Sequence, residues 1–216
     1  MLVTPGAPPP GRAAGFHASP FQGYGVEWSP FDPHRLAVAS SQNYGIVGNG
    51  AVHVIDVTPR GVVEVASFPT LDGCYDVAWS EASDRLVATA GGDGAVRLWD
   101  VAAPPRANPL RAWAEHAREV HSLDWGLVRR DVFVSTSWDD TARLWSPESP
   151  RALRSFAEHG YCVYSASWCP TDAEGESGRE RLRQRPRKRD KTHQPPSPPP
   201  PLHVPSFRHS LGRLHV

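Results

Sequence analysis

A unit of about 45 residues recurs along this chain, and it limits the fold more than any other feature. The run Leu86-Val-Ala-Thr-Ala-Gly-Gly-Asp93-Gly-Ala-Val-Arg-Leu-Trp99-Asp100 aligns with Val132-Phe-Val-Ser135-Thr-Ser-Trp138-Asp139-Asp-Thr-Ala-Arg-Leu-Trp145-Ser146. A weaker copy ends Ala51-Val-His-Val-Ile55-Asp56. A companion pattern precedes each copy: Tyr24-Gly-Val-Glu-Trp28, Tyr75-Asp-Val-Ala-Trp79, His121-Ser-Leu-Asp-Trp125, and finally Tyr164-Ser-Ala-Ser-Trp168. Trp79 and Trp125 lie 46 residues apart, Trp125 and Trp168 lie 43 apart, and Trp99 and Trp145 lie 46 apart. A constant period of this size means one supersecondary unit stacked on copies of itself. Runs such as Val96-Arg97-Leu98-Trp99 alternate as short strands do, and Gly-Asp-Gly or Trp-Asp-Asp punctuates them as turns. No amphipathic helix is legible before residue 170.

The period and the Trp-Asp endings resemble WD repeats, which fold as four strands per propeller blade. The expected fold is therefore all-β: an incomplete WD-repeat β-propeller of about three blades plus the first strand of a fourth. In such repeats a histidine before the inner strand, a Ser or Thr of the next strand, the turn aspartate and the Trp indole form one buried hydrogen-bond chain. Buried polar groups need partners, and a closed network sets a unique geometry. In the third repeat the resemblance points to His116, Ser135, Asp139 and Trp145. The second repeat keeps Thr89, Asp93 and Trp99 but has Thr70 at the histidine position. The fourth keeps His159 and then loses the pattern.

Ser135, His116 and Asp139 also carry the residue types of a hydrolase triad. No Gly-x-Ser-x-Gly elbow surrounds Ser135, and similar residues recur one period earlier, as structural groups do and catalytic ones do not. No enzyme activity is expected. His116 and His159 as metal ligands fail too, because 43 residues separate them and no carboxylate or thiolate cluster joins them. No metal and no cofactor is expected. Cys74, Cys162 and Cys169 are too few for a disulfide scaffold and form no CxxC pair, which suits a reducing compartment.

Charge divides the chain. Residues 1–170 hold 13 Arg and no Lys against 18 acidic residues, while residues 171–216 hold 8 Arg and 2 Lys against 5. The repeat region is thus mildly acidic and lacks the basic face that nucleic acid requires. No apolar run approaches the roughly 20 residues of a membrane span. The sequence divides into a flexible N-terminus over 1–15, a partial propeller over 16–170, and a disordered basic and proline-rich tail over 171–216, whose composition cannot offset ordering entropy. The tail is read as incidental to the propeller, against a nuclear address or a polyproline ligand. A propeller needs roughly 4–8 blades to protect its edges, so an open arc is expected to be unstable as a monomer.

A closer resemblance lies in particular stretches. Phe21-Gln-Gly-Tyr-Gly-Val-Glu-Trp-Ser-Pro-Phe31, Gln42-Asn-Tyr-Gly-Ile-Val-Gly-Asn-Gly50, Glu115-His-Ala-Arg-Glu-Val120 and Phe156-Ala-Glu-His-Gly-Tyr-Cys-Val-Tyr164 are similar to the family of receptors for type 2 peroxisomal targeting signals, the plant-type versions above all. The similarity covers about residues 16–170. It implies a receptor that binds cargo proteins through an N-terminal helical signal in the cytosol and shuttles to the peroxisomal membrane and matrix. The implied partners are the type 1 signal receptor or a co-receptor, and the peroxisomal docking complex. Propeller geometry puts the signal on the top face, at the residues that open each inner strand and the one before the turn aspartate. Those are Gln22, Tyr24, Tyr75, Glu119, His121, Tyr164 and Trp138, with Gly73 and Cys162 at the matching small positions. Asp72 and Asp76 join them on charge alone. This chain is expected to be a truncated form with weak or no signal binding. Two readings stay open beside this one: a generic WD-repeat scaffold of another complex, and a nucleic-acid-associated protein using the basic tail.

Overall fold

The computed structural model describes residue 15 and residues 17–169, so the expected flexible start (residue 15 apart) and the expected tail over 171–216 lie outside the described residues. Three four-stranded antiparallel sheets follow one another along the chain. The first holds β1 (Gln22–Trp28), β2 (Arg35–Ser41), β3 (Gly50–Thr58) and β4 (Gly61–Thr70). The second holds β5 (Cys74–Trp79), β6 (Leu86–Gly91), β7 (Val96–Asp100) and β8 (Arg111–Trp113). The third holds β9 (Val120–Trp125), β10 (Phe133–Ser137), β11 (Ala142–Trp145) and β12 (Arg154–Phe156). Within each sheet the spatial order equals the chain order. This is the WD-repeat blade, and β5 packs on β1 and β2 as β9 packs on β5 and β6.

The hairpins follow from their turn residues. Between β6 and β7, Asp93 Oδ1 accepts the Ala95 N–H, and Gly94 takes a φ of +79°. Between β10 and β11, Asp139 Oδ1 accepts the Thr141 N–H, and Asp140 takes a φ of +66°. Aspartate caps the turn, and the next position needs a left-handed backbone that Gly adopts freely and Asp tolerates. The first sheet replaces this hairpin with the longer 42–49 loop, where Asn43, Tyr44 and Gly45 all have positive φ.

Two seams hold the core. Ala37, Ala39, Val52, Val54 and Phe68 of the first sheet meet Val77, Trp79, Val87 and Trp99 of the second. Ala78, Ala88, Ala90, Val96, Leu98 and Trp113 of the second meet Val120, Leu123, Trp125, Phe133 and Trp145 at the third. Small alanines on one side face large aromatic rings on the other, a combination suited to close packing. Burying a side chain such as Phe68 or Val52 is worth roughly 1.5–3 kcal/mol. At the outer face of the first sheet Trp28 is 53% exposed, whereas its counterparts Trp79 and Trp125 are buried.

Residues 161–169, expected as the first strand of a fourth blade, lie along the third sheet without forming a ladder. The Val163 N–H donates to the Ser137 carbonyl at 3.0 Å, and Trp168 bonds Asp124. A ladder needs a neighbouring strand of the same blade, and among the described residues none follows.

Candidate functional site

Each inner strand carries a β-bulge at the same place. The register of β1 against β2 skips Tyr24, that of β5 against β6 skips Tyr75, and that of β9 against β10 skips His121. A bulge leaves one residue unpaired and re-aims its side chain. Here it turns three aromatic side chains toward the same edge of the molecule. Tyr24 and Tyr75 meet edge-on at 5.4 Å, Tyr75 stacks on His121 at 4.8 Å, and His121 stacks on Trp138 at 4.4 Å. Tyr164 closes the run 6.1 Å from Trp138, and Arg118 lies over the Trp138 ring. Five aromatic side chains from four successive repeats thus form one continuous surface.

The run keeps exposed and unsatisfied edges. Tyr24 is 45% and Tyr164 is 62% exposed. His121 Nε2 and Trp138 Nε1 are buried without a hydrogen-bond partner, an expensive condition that a bound polar group would relieve. Burial holds the His121 imidazole below its usual pKa against the opposing pull of Glu119. Burial, then the neighbouring Asp72 and Glu119 carboxylates, push the Tyr75 hydroxyl up. Two acids therefore flank the aromatic run. Asp72 Oδ1 accepts the Gly73 N–H, and Glu119 lies 3.6 Å from Arg118. Gln22 Oε1 accepts the Tyr44 N–H, and Tyr75 Oη donates to the Gly45 carbonyl at 2.6 Å, so the 42–49 loop is tied to this edge. Tyr44, 73% exposed on that loop, and Arg118 belong to the same surface. Neither offset nor turn pattern marks them: Tyr44 lies on a loop that replaces the hairpin of the other repeats, and Arg118 lies just before β9, outside the recurring positions.

Asp76, placed on this face by its charge, does not reach it. Its carboxylate is turned into the seam, where it accepts the N–H groups of Val77 and Leu123. Glu27 and Asp124 act likewise: each carboxylate accepts the backbone N–H of the next repeat's tryptophan, Trp79 and Trp168 respectively. Burial is the main reason all three carboxyls titrate high, with Glu27 reaching about 7. These acids staple neighbouring blades rather than face solvent.

In the third repeat His116 Nε2 lies 2.7 Å from Ser135 Oγ, His116 Nδ1 lies 2.9 Å from Asp139, and Trp145 Nε1 donates to Ser135 Oγ at 2.8 Å. This is the connectivity of a catalytic triad without its chemistry. Ser135 is fully buried and its oxygen is already taken by the indole, so no substrate carbonyl can reach it. In the second repeat Trp99 Nε1 donates to Thr89 at 2.8 Å, but Asp93 pairs with Arg97 instead. Thr70 cannot bridge the two, since its hydroxyl donates to the Asp72 carbonyl. His159 is exposed and joins no such chain, because the strand that would supply its serine and aspartate is not among the described residues. Cys74 is buried, and burial pushes its thiol up to about 12, which leaves it unreactive at neutral pH.

Comparison with known proteins agrees with the repeat. The family model "WD domain, G-beta repeat" matches residues 64–100 and 107–146. The chain is 51% identical over 137 residues to "Peroxisome biogenesis protein 7" of Arabidopsis thaliana, covering 62% of this chain and 43% of that protein. It is 46% identical over 137 residues to the "Peroxisomal targeting signal 2 receptor" of Dictyostelium discoideum, covering 63% and 43%. The protein of that name in Homo sapiens is 42% identical over 149 residues, covering 68% of this chain and 46% of its own length. The chain thus spans less than half the length of the curated relatives it matches.

Proposed function

Because the chain is a WD-repeat relative of the peroxisomal targeting signal 2 receptors over part of their length, we propose that it carries part of a receptor surface for such signals. The observation that carries this reading is the aromatic run from Tyr24 through Tyr75, His121 and Trp138 to Tyr164, flanked by Asp72 and Glu119. A short basic amphipathic helix needs apolar surface for one stripe and carboxylates for its cations, and this edge supplies both. Asp76 is left out, since both its oxygens serve the blade seam.

The role is recognition, without a chemical step. Cargo binding takes place in the cytosol, and the loaded receptor travels to the peroxisome with a type 1 receptor or co-receptor and meets a docking complex there. Among the described residues no helix is long and apolar enough to cross a membrane.

The test installs residues 17–169 in place of the matching segment of the Arabidopsis relative and titrates a fluorescent type 2 signal peptide against that chimera and against the 216-residue chain. Binding by the chimera, lost on Trp138→Ala, supports the assignment. A chimera that folds but ignores the peptide while binding other proteins favours a general WD-repeat scaffold.

A further inference from the structure

His17, His53 and Glu64 bring two imidazole nitrogens and a carboxylate oxygen within 4.8 Å of one another. They come from three separate pieces of chain. His53 lies on β3, Glu64 on the neighbouring β4, and His17 on the segment that leads into β1. That segment lies hard against the β3–β4 hairpin: a Cβ on Gly15 would come within 2.7 Å of the Val62 nitrogen. His53 Nδ1 is 2.7 Å and His17 Nε2 is 3.2 Å from the same oxygen, Glu64 Oε2. His17 Nε2 is buried and makes no hydrogen bond of acceptable geometry. Two imidazoles therefore converge on one carboxylate oxygen, and His17 Nε2 meets it without a hydrogen bond.

We propose that this cluster is a site for a divalent transition-metal ion of the zinc class, clamping the segment before β1 onto the outer strands of the first blade. Zinc binds His nitrogen and carboxylate oxygen at about 2.0–2.2 Å, so ligand atoms around it stand roughly 3.3 Å apart, within small side-chain adjustments of the spacing here. Two imidazoles and one carboxylate suit this class, whereas Mg²⁺ and Ca²⁺ prefer all-oxygen shells. His53 is almost wholly buried, while His17 and Glu64 are partly exposed, which leaves a fourth position open to water.

The surroundings are built to orient the ligands. His53 Nε2, the nitrogen turned away from the cluster, lies 3.1 Å from the fully buried Ser40 Oγ, and Ser40 donates on to the Ala51 carbonyl. Such an outer hydrogen bond selects the tautomer whose other nitrogen faces the ion. The equivalent positions in the other repeats, Arg97 and Arg143, carry permanent cations paired with Asp93 and Glu115. Only the first blade has a titratable residue there, where a bound cation supplies the charge that arginine supplies elsewhere.

The experiment stands apart from signal binding. The full 216-residue chain, stripped with chelator, is titrated with Zn²⁺ against a chromogenic competitor and, separately, with Co²⁺ to read the visible bands of a tetrahedral site. Expected are one tight equivalent and a loss of affinity of at least about tenfold in both His17→Ala and Glu64→Gln. Zn²⁺ should also slow amide exchange over residues 17–19 in the parent and not in Glu64→Gln. Both side chains are partly exposed, and unchanged circular dichroism would show that the variants still fold. Three results overturn the proposal: no Zn²⁺ or Co²⁺ binding, which leaves a proton-shared cluster; binding by both variants as tight as the parent's, which places the metal elsewhere in the chain; or Mg²⁺ acting as well as Zn²⁺.

Discussion

Glu27 and Trp79 grip each other across the first blade seam. The Trp79 backbone N–H donates to the Glu27 carboxylate, and the Trp79 indole N–H donates to the Glu27 carbonyl at 3.1 Å. Asp124 and Trp168 repeat the arrangement two blades on. Trp79 and Trp168 thus each spend both donors on the residue before the previous blade's tryptophan, whereas the Trp125 indole donates within its own blade to the Arg130 carbonyl.

The burial of Glu27 in this seam makes its contribution to stability fall as pH rises. Burial, helped by Asp76, Asp124 and Glu81 and opposed by the Trp79 N–H, raises the Glu27 carboxyl from 4.5 to about 7. A folded-state pKa above the unfolded one contributes stability that is complete below about 4.5 and lost as pH rises through about 7. Glu27→Gln keeps an acceptor for Trp79 and never ionises. Relative to the parent it should gain up to about 3 kcal/mol between pH 5 and pH 8, measured by denaturant unfolding. A difference that does not move with pH would show that Glu27 is not desolvated.

The polar chain of the third blade predicts an unequal pair of mutants. Asp139 holds His116, the Ala117 N–H and Thr141 together, so Asp139→Ala strands the buried His116 along with two more exposed partners and should cost about 1–3 kcal/mol. Asp93→Ala in the second blade removes mainly a partly exposed pairing with Arg97 and should cost less, within about 1 kcal/mol. Comparison of the two midpoints in urea checks this. Equal losses would mean that the histidine link adds nothing.

The period made the blades and their strand order legible from the sequence, because every copy of Trp99 and Trp145 closes a strand of the same kind. The aromatic residues Tyr24, Tyr75 and His121 were also within reach, since they recur four before each inner-strand tryptophan. What aims them, a bulge at each, leaves no trace in residue type. Charge alone puts Asp76 on the top face and nothing in the sequence marks Glu27 or Asp124, because the partners of all three are backbone N–H groups of the next repeat, 44 to 52 residues away. His53 and Glu64 escaped for a related reason. In the repeat pattern His53 stands where arginine does, and its partners lie on a neighbouring strand and on a segment before the first repeat.

The same blade predicts acid sensitivity of opposite sense to Glu27. Burial opposes ionisation of Asp139, but Thr141, the Ala117 N–H and His116 together outweigh it and hold the carboxyl at about 2. Burial also lowers His116. Both folded-state pKa values lie below the unfolded ones, so their contributions are present at neutral pH. They are lost as pH falls, from about 6.5 downward for His116 and from about 3.8 toward 2 for Asp139. Asp139→Asn should flatten the slope of unfolding free energy between pH 4 and pH 2. A slope like the parent's would place the acid-sensitive group elsewhere.

The rim yields a prediction that separates its two kinds of contact. Trp138 sits mid-run, 4.4 Å from His121 and 6.1 Å from Tyr164, with a buried indole N–H that has no partner. A central aromatic with an unsatisfied donor has the make-up of a binding hot spot, and Trp138→Ala should cost the signal peptide about 2 kcal/mol or more, roughly 30-fold in Kd. Glu119 is a rim carboxylate, so Glu119→Gln should weaken binding by tenfold or less, mostly through slower association, and the deficit should shrink as salt rises. Association and dissociation rates on the chimera, at low and high salt, distinguish the two. If Glu119→Gln acts through dissociation and Trp138→Ala does not, the helix lies along the acids rather than across the aromatic run.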